Sequence, residues 1–169
     1  MKIKNKYLLL LLVPCSLCLV TCSSKDQTAK KIFHYNESTG IASLDPAFSK
    51  NQSTMWPVHQ LFNTLVENEG DTKTTGSLAK SWDISGDRLE YIFHLRTDVF
   101  FHNNQAFGEA FVSAKGRRMT AADVEYSFKR IADPKLASPG FYIFNNVVDS
   151  IDGFKAINDS TFRLKLIKP

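Results

Sequence analysis

Trp82-Asp83-Ile84-Ser85-Gly86-Asp87-Arg88-Leu89-Glu90-Tyr91-Ile92-Phe93-His94-Leu95-Arg96 is the stretch that decides the fold class. Ser85-Gly86-Asp87 marks a turn, and the apolar residues on either side predict two paired strands, Trp82–Ile84 and Leu89–Arg96. Downstream, Met119-Thr120-Ala121-Ala122-Asp123-Val124-Glu125-Tyr126-Ser127-Phe128-Lys129-Arg130-Ile131 changes period. Thr120 stands where a cap would, with Asp123 three residues on as a capping-box acid. Val124, Phe128 and Ile131 then share one helical face, until Asp133-Pro134 ends the helix. Phe162, Leu164 and Leu166 alternate with Arg163, Lys165 and Lys168, a half-exposed strand joined through Asn158-Asp159-Ser160 to another over Phe154–Ile157. Sheet hairpins and a helix in one chain make the class α+β.

Upstream of the first hairpin the signals are weaker. Lys31-Ile32-Phe33-His34-Tyr35 alternates as a first strand would, and Asn36 to Pro46 reads as a loop. Met55, Val58, Phe62 and Leu65 recur at three- and four-residue steps, predicting a helix from Thr54 with those residues buried and Pro57 in its first turn. Gly70 to Gly76 reads as a polar turn region.

The N-terminus has a different composition. Lys2, Lys4 and Lys6 precede Leu8 to Val13, and the apolar run resumes after Pro14, which is the build of an export signal. The apolar stretch falls short of the roughly 20 residues that span a bilayer. The chain carries 21 Lys+Arg against 17 Asp+Glu, a formal charge of +4. Much of that excess is the three leader lysines, so the remainder offers no basic footprint for nucleic acid. All three cysteines, Cys15, Cys18 and Cys22, lie at this end. The domain that follows therefore has no disulfides and must bury a hydrophobic core. Ser23 to Lys30 reads as a polar tether.

Catalytic patterns are missing. The sequence contains no G-x-x-x-x-G-K-[ST] loop, no G-x-S-x-G elbow and no H-E-x-x-H. His34, His59, His94 and His102 are scattered, with no i, i+4 ligand pair, and His34 and His94 are expected to be structural residues in strands. Asp123 and Glu125 point to different sides of one helix, so capping and solvation are expected of them rather than acid–base catalysis. Phe93, Phe100, Phe101, Tyr126 and Phe128 are expected in a hydrophobic core rather than on a base-stacking platform. No enzyme activity, metal or cofactor is implied.

Several segments resemble the family 5 extracellular solute-binding proteins of ABC importers, which include oligopeptide, dipeptide and nickel binders. They are Ser43-Leu44-Asp45-Pro46; Ser77-Leu78-Ala79-Lys80-Ser81-Trp82-Asp83-Ile84-Ser85; Phe93-His94-Leu95-Arg96 with Val99 and Phe101-His102; and Met119 to Arg130. Ala132-Asp133-Pro134-Lys135-Leu136-Ala137-Ser138-Pro139 is similar to the oligopeptide branch. Leu19-Val20-Thr21-Cys22 resembles a lipobox, whose cysteine is acylated. Thr21 stands where Gly, Ala or Ser is usual.

The resemblance implies residues 1–21 as a lipoprotein signal peptide, 22–30 as a tether and 31–169 as the N-terminal part of a solute-binding domain. The fold expected is the N-terminal portion of a two-lobed periplasmic-binding-protein-like fold, class II with an extra domain. It implies a lipid-anchored, periplasmic protein, monomeric, with Cys22 as lipidation site. Its partners would be a peptide ligand, an ABC permease and the membrane, with no nucleic acid. Lys50, Asn51, Gln52 and Ser53 stand where the family contacts the peptide backbone. Gly140 replaces a ligand-facing tyrosine, leaving Phe141 or Tyr142 to substitute. The alternatives are a binder of nickel, haem, a sugar or another small solute, an anchored hydrolase with its catalytic residues after Pro169, or a scaffold lipoprotein. Asn103 to Arg118, with the basic pair Arg117-Arg118, is longer than the family's turn and is expected to be a surface loop.

Overall fold

The computed structural model describes residues 32, 34, 36–70, 72–104, 116–148 and 151–169. The chain divides into two units, Met1–Asn36 and Glu37–Pro169. In the first unit Ile32 and His34, two residues of the strand expected over Lys31–Tyr35, lie outside any strand. Lys31, Phe33 and Tyr35 lie outside the described residues, as do the export signal, the tether and Cys22. No helix among the described residues is long and apolar enough to cross a membrane.

The second unit contains helices α1 (Gln52–Leu61) and α2 (Ala121–Ala132). Its strands are β1 (Val66–Glu69), β2 (Lys73–Gly76), β3 (Ala79–Ile84), β4 (Glu90–Leu95), β5 (Phe154–Asn158) and β6 (Thr161–Lys165). The expected hairpins form: β3 pairs with β4, and β5 with β6, both antiparallel. β4 joins them by pairing with β6, giving a four-stranded sheet in the order β3-β4-β6-β5. The polar turn expected over Gly70 to Gly76 is instead half strand, since β2 pairs with β1 from Val66↔Gly76 to Glu69↔Lys73. This ribbon lacks a buried alternating face, so periodicity gave no sign of it.

The core lies where α2 covers the sheet. Ala79, Leu95, Met119, Ala121, Val124, Phe154 and Phe162 are buried together, with Phe93, Phe128, Phe144 and Leu164 packed against them. Phe93 and Phe162 face each other across β4 and β6. From α2, Phe128 sets its ring edge-on to Phe162 at 5.3 Å and to Phe154 at 5.7 Å. The expected core role therefore holds for Phe93 and Phe128. It is corrected for Phe100, Phe101 and Tyr126, which are exposed. Tyr126 sits two residues from both Val124 and Phe128, about 200° around the helix from each, and so faces outward.

α2 starts as its sequence predicts. Asp123 reaches back to accept the Thr120 backbone N–H at 2.8 Å. The same carboxylate takes both arms of the Arg117 guanidinium, at 2.7 and 3.1 Å, and that guanidinium lies 4.4 Å over the Phe101 ring. Burial pushes the Asp123 carboxyl up, but Arg117 and the Thr120 amide hold it below its ordinary value. This pair therefore contributes stability above the ordinary carboxylate range, which is lost as pH falls through the lowered value.

The basic pair expected on a surface loop is thus structural. Arg118 pairs with Asp159 at 3.1 Å, Phe100 bridges Arg118, and the Phe101 N–H donates to the Arg117 carbonyl at 2.8 Å. Gly116 at φ +76° permits this closure, because a Cβ there would strike the Phe101 carbonyl oxygen. Residues 105–115 of that segment lie outside the described ones.

Glu125 is not simply solvated either, a second correction. Its carboxylate accepts the Ala156 N–H of edge strand β5 at 2.6 Å and pairs with Lys129 at 2.5 Å. The bond falls where the β5–β6 register shifts, between Ala156 and Asn158, so Glu125 satisfies a donor near an irregular stretch of the ladder. Glu125→Ala is therefore expected to cost about 1–3 kcal/mol by leaving a partly buried donor unmatched. Glu125→Gln keeps an acceptor and should lose only about 0.5 kcal/mol, the value of an i,i+4 ion pair. Urea unfolding of the two variants checks this, and equal losses would show that Ala156 does not need the acceptor.

Candidate functional site

Asp45-Pro46 opens a short 3-10 turn, Pro46–Phe48, in which Asp45 caps the Ala47 N–H at 3.0 Å. Proline in the first position suits this start because its missing N–H would have no partner there. α1 begins four residues later, earlier than expected. Asn51 is its cap: the side-chain oxygen accepts from the Thr54 N–H at 3.2 Å, and Thr54 Oγ1 completes the box with the Asn51 N–H at 3.4 Å. Thr54 and Val58, one turn apart, are buried, whereas Met55, Leu61 and Phe62 are about half exposed. Of the expected face, Val58 is buried as expected, whereas Met55 and Phe62 are corrected to exposed. Pro57 sits inside the helix rather than in its first turn. Leu65 lies beyond the helix and packs on the core.

Among the expected ligand contacts, Lys50 is exposed between the 3-10 turn and α1, Asn51 is the cap, and Gln52 and Ser53 form the first turn of α1. Ser53 Oγ donates to the Asn51 side-chain oxygen at 2.9 Å. That oxygen is engaged locally, while the Lys50 ammonium stands in solvent. Phe141 and Tyr142 open the 3-10 turn Phe141–Phe144 and are 39% and 69% exposed, so both rings are accessible to a neighbouring molecule.

Two links join the stretches of chain that lead into these segments, and neither was legible in residue spacing. The Arg130 guanidinium, near the end of α2, forks onto both Asp45 oxygens at 2.8 and 2.6 Å. This bond holds the Asp45 carboxyl below its ordinary value, against partial burial and with help from the Ala47 N–H. Ser138 Oγ, 5% exposed, donates to the Ala47 carbonyl at 2.6 Å and accepts the Gly140 N–H at 3.2 Å. Ala47 is itself buried. The Lys50–Ser53 segment and the Phe141–Tyr142 turn therefore both continue from the Ala47–Ser138 contact. Arg130 also lines an open hollow of about 400 Å³ with Tyr126, Lys129, Asp133 and Leu136.

The remaining histidine and carboxylate contacts are structural. His94 Nε2 lies 2.8 Å from Asp83 across β3 and β4. Among the described residues no three His, Cys, Asp or Glu side chains gather as metal ligands.

Known proteins place this arrangement. Residues 73–169 match the bacterial extracellular solute-binding proteins, family 5, middle region. Heme-binding protein A of Haemophilus influenzae is 35% identical over 117 residues, covering 64% of this chain and 20% of that protein. A dipeptide-binding protein of Lactococcus lactis is 30% identical over 162 residues, covering 89% of this chain and 27% of that one. The chain thus spans between a fifth and just over a quarter of the length of these relatives. In structure it is similar to the ABC transporter-associated periplasmic binding protein DppA from Helicobacter pylori, solved in complex with the peptide STSA. Their TM-score is 0.60 at 30% identity, over 75% of this chain and 25% of that one. The α+β arrangement expected from the hairpins and α2 is accordingly that of part of a periplasmic-binding-protein fold, and the chain belongs to the bacterial extracellular solute-binding proteins, family 5.

Proposed function

We propose that the protein carrying this chain is the solute-binding component of an ABC importer, that it takes up peptides, and that it acts by binding rather than catalysis. The observation that carries this reading is the likeness to the peptide-complexed DppA, together with the relationship to a dipeptide-binding protein over most of the chain. The geometry is compatible with it. An extended peptide is held through its backbone, and Lys50 to Ser53 with Phe141 and Tyr142 would supply polar and aromatic groups on one wall. Each main-chain hydrogen bond is worth roughly 0.5–1.5 kcal/mol net, which gives affinity with little demand on side-chain identity. In this reading the protein is monomeric, lies in the periplasm and hands its peptide to a permease.

A second reading has its own support. The relative with 35% identity is a heme-binding protein, so a non-peptide small solute would use the same scaffold. Native mass spectrometry of the full-length protein with whatever ligand co-purifies separates the two. A distribution of peptide masses is expected, whereas a single haem, metal complex or sugar mass would overturn the peptide reading.

Anchoring is part of the proposal and rests on Leu19-Val20-Thr21-Cys22. Stable attachment needs more than one acyl chain, at about 0.8 kcal/mol per buried methylene. Cys22→Ala should therefore release the protein from membranes washed with carbonate while the wild type stays bound. Equal retention of both would show that an uncleaved N-terminal segment is the anchor.

A further inference from the structure

The strongest non-local links outside the core converge on one short piece of chain. Arg130 grips Asp45 with both arms, Ser138 grips the Ala47 carbonyl, and the Asn51–Thr54 box fixes the start of α1. Phe48, Ser49 and Lys50 are all that lies between the Ala47 anchor and Asn51, four residue steps that span at most about 13–14 Å fully extended. Lys50 is thus confined from both sides although its side chain is exposed. Within the same span the Ser49 hydroxyl is buried and makes no hydrogen bond among the described residues, a polar group whose usual fate is to find a partner. Neither Arg130 nor Ser138 belongs to the core around Phe154 and Phe162. Their bonds therefore shape this segment without carrying the fold.

We propose that Arg130 and Ser138 are positioning residues for ligand binding: they clamp the Pro46–Phe48 turn to the end of α2 and so set the place of Lys50 to Ser53 on the binding wall. The assignment rests on the peptide reading for what the wall holds, but the clamp itself can be tested without any ligand. The Asp45 N–H donates to Ser43 Oγ at 3.1 Å, and the Asp45 carboxylate accepts from the Ala47 N–H at 3.0 Å. Losing Arg130 would leave this turn held only by its local bonds, so the segment should open more often without unfolding the sheet.

The experiment uses the full-length protein with Arg130→Met, Arg130→Lys and Ser138→Ala. Hydrogen exchange over residues 47–54 should accelerate about tenfold in Arg130→Met, the equivalent of one lost charge-assisted bond. Exchange in β4 and β6 should stay at the wild-type rate. Arg130→Lys, which keeps the charge but not the fork, should fall between, and Ser138→Ala should act in the same direction. Calorimetric titration with a tripeptide-to-pentapeptide mixture should show the Kd of Arg130→Met weakened by a similar factor. No selective acceleration, or acceleration spread equally through β4 and β6, overturns the clamp. Selective acceleration with an unchanged peptide Kd overturns its role in binding. If the wild type takes none of these peptides while selective acceleration is seen, the clamp stands and the peptide reading falls.

Discussion

Truncating Phe128 to alanine is expected to remove about 3 kcal/mol of stability, the lower end of the usual cost of deleting a core aromatic ring, because Phe128 is partly buried against the core. With Ala121 and Val124, Phe128 is one of the side chains through which α2 meets the sheet. Its ring contacts Phe154 and Phe162 edge-on and Phe144 at 5.4 Å, and Phe154 and Phe162 are fully buried. Aromatic pairs of this geometry contribute about 0.5–1.5 kcal/mol each beyond the area they bury. The hole left behind would be bounded by rings anchored on two different strands and a 3-10 turn, which cannot collapse together to fill it. Phe128→Leu should recover part of the loss by refilling most of the volume. Tyr126→Ala, two residues away on the outward face, should change stability by less than about 0.5 kcal/mol. Thermal and urea unfolding of the three variants checks the ranking. A Phe128→Ala variant no less stable than Tyr126→Ala would show that α2 is not packed on this sheet.

The parts of this fold that sequence made visible are those in which one face is buried at a regular period. The β3–β4 hairpin, the β5–β6 hairpin and α2 all have apolar residues spaced by two or by three and four, because each packs against the same core. β1 and β2 were invisible for the converse reason. Glu67, Asn68, Lys73, Thr74 and Thr75 offer no apolar alternation, and their ribbon is held by its own ladder with little core contact. α1 was visible as a helix but misplaced. Its cap is Asn51 paired with a threonine rather than with an acid, and its buried stripe runs through Thr54 and Val58, so that Val58 is buried as expected while Met55 and Phe62 are not. Lys50 to Ser53 and Phe141–Tyr142 were named from a family resemblance, and their physical connection stayed hidden. It runs through Asp45–Arg130 and Ala47–Ser138, contacts made between segments 85 and 91 residues apart. No local period reports a contact of that range. Arg117 escaped notice similarly, since a basic pair in a long polar segment looks like solvent-facing charge until Asp123 and Phe101 are seen on either side of it.

Residues 1–169 alone are expected not to bind peptide measurably, whereas on the proposed function the full-length protein is expected to bind it. Lys50 and Tyr142 are exposed on the described surface, and the Asn51 side-chain oxygen is already taken by Thr54 and Ser53. One wall of this kind leaves a peptide half solvated, so each hydrogen bond to protein merely replaces one to water and the net gain shrinks towards zero. Association must also overcome the loss of translational and rotational freedom, about 4 kcal/mol or more. In the proposed two-lobed arrangement the second lobe supplies the opposing hydrogen bonds and the partners for the charged peptide termini, and closure about a hinge excludes water from them. Adding that lobe therefore converts a nearly neutral exchange into net binding, an effect of at least about three orders of magnitude if the complete site is micromolar and the lone wall weaker than millimolar. Calorimetric titration of the tripeptide-to-pentapeptide mixture into both proteins, each first shown to be folded by circular dichroism, measures the difference. Micromolar binding by residues 1–169 would place the whole recognition site between the Pro46–Phe48 turn and the Phe141–Phe144 turn and would end the two-lobe argument.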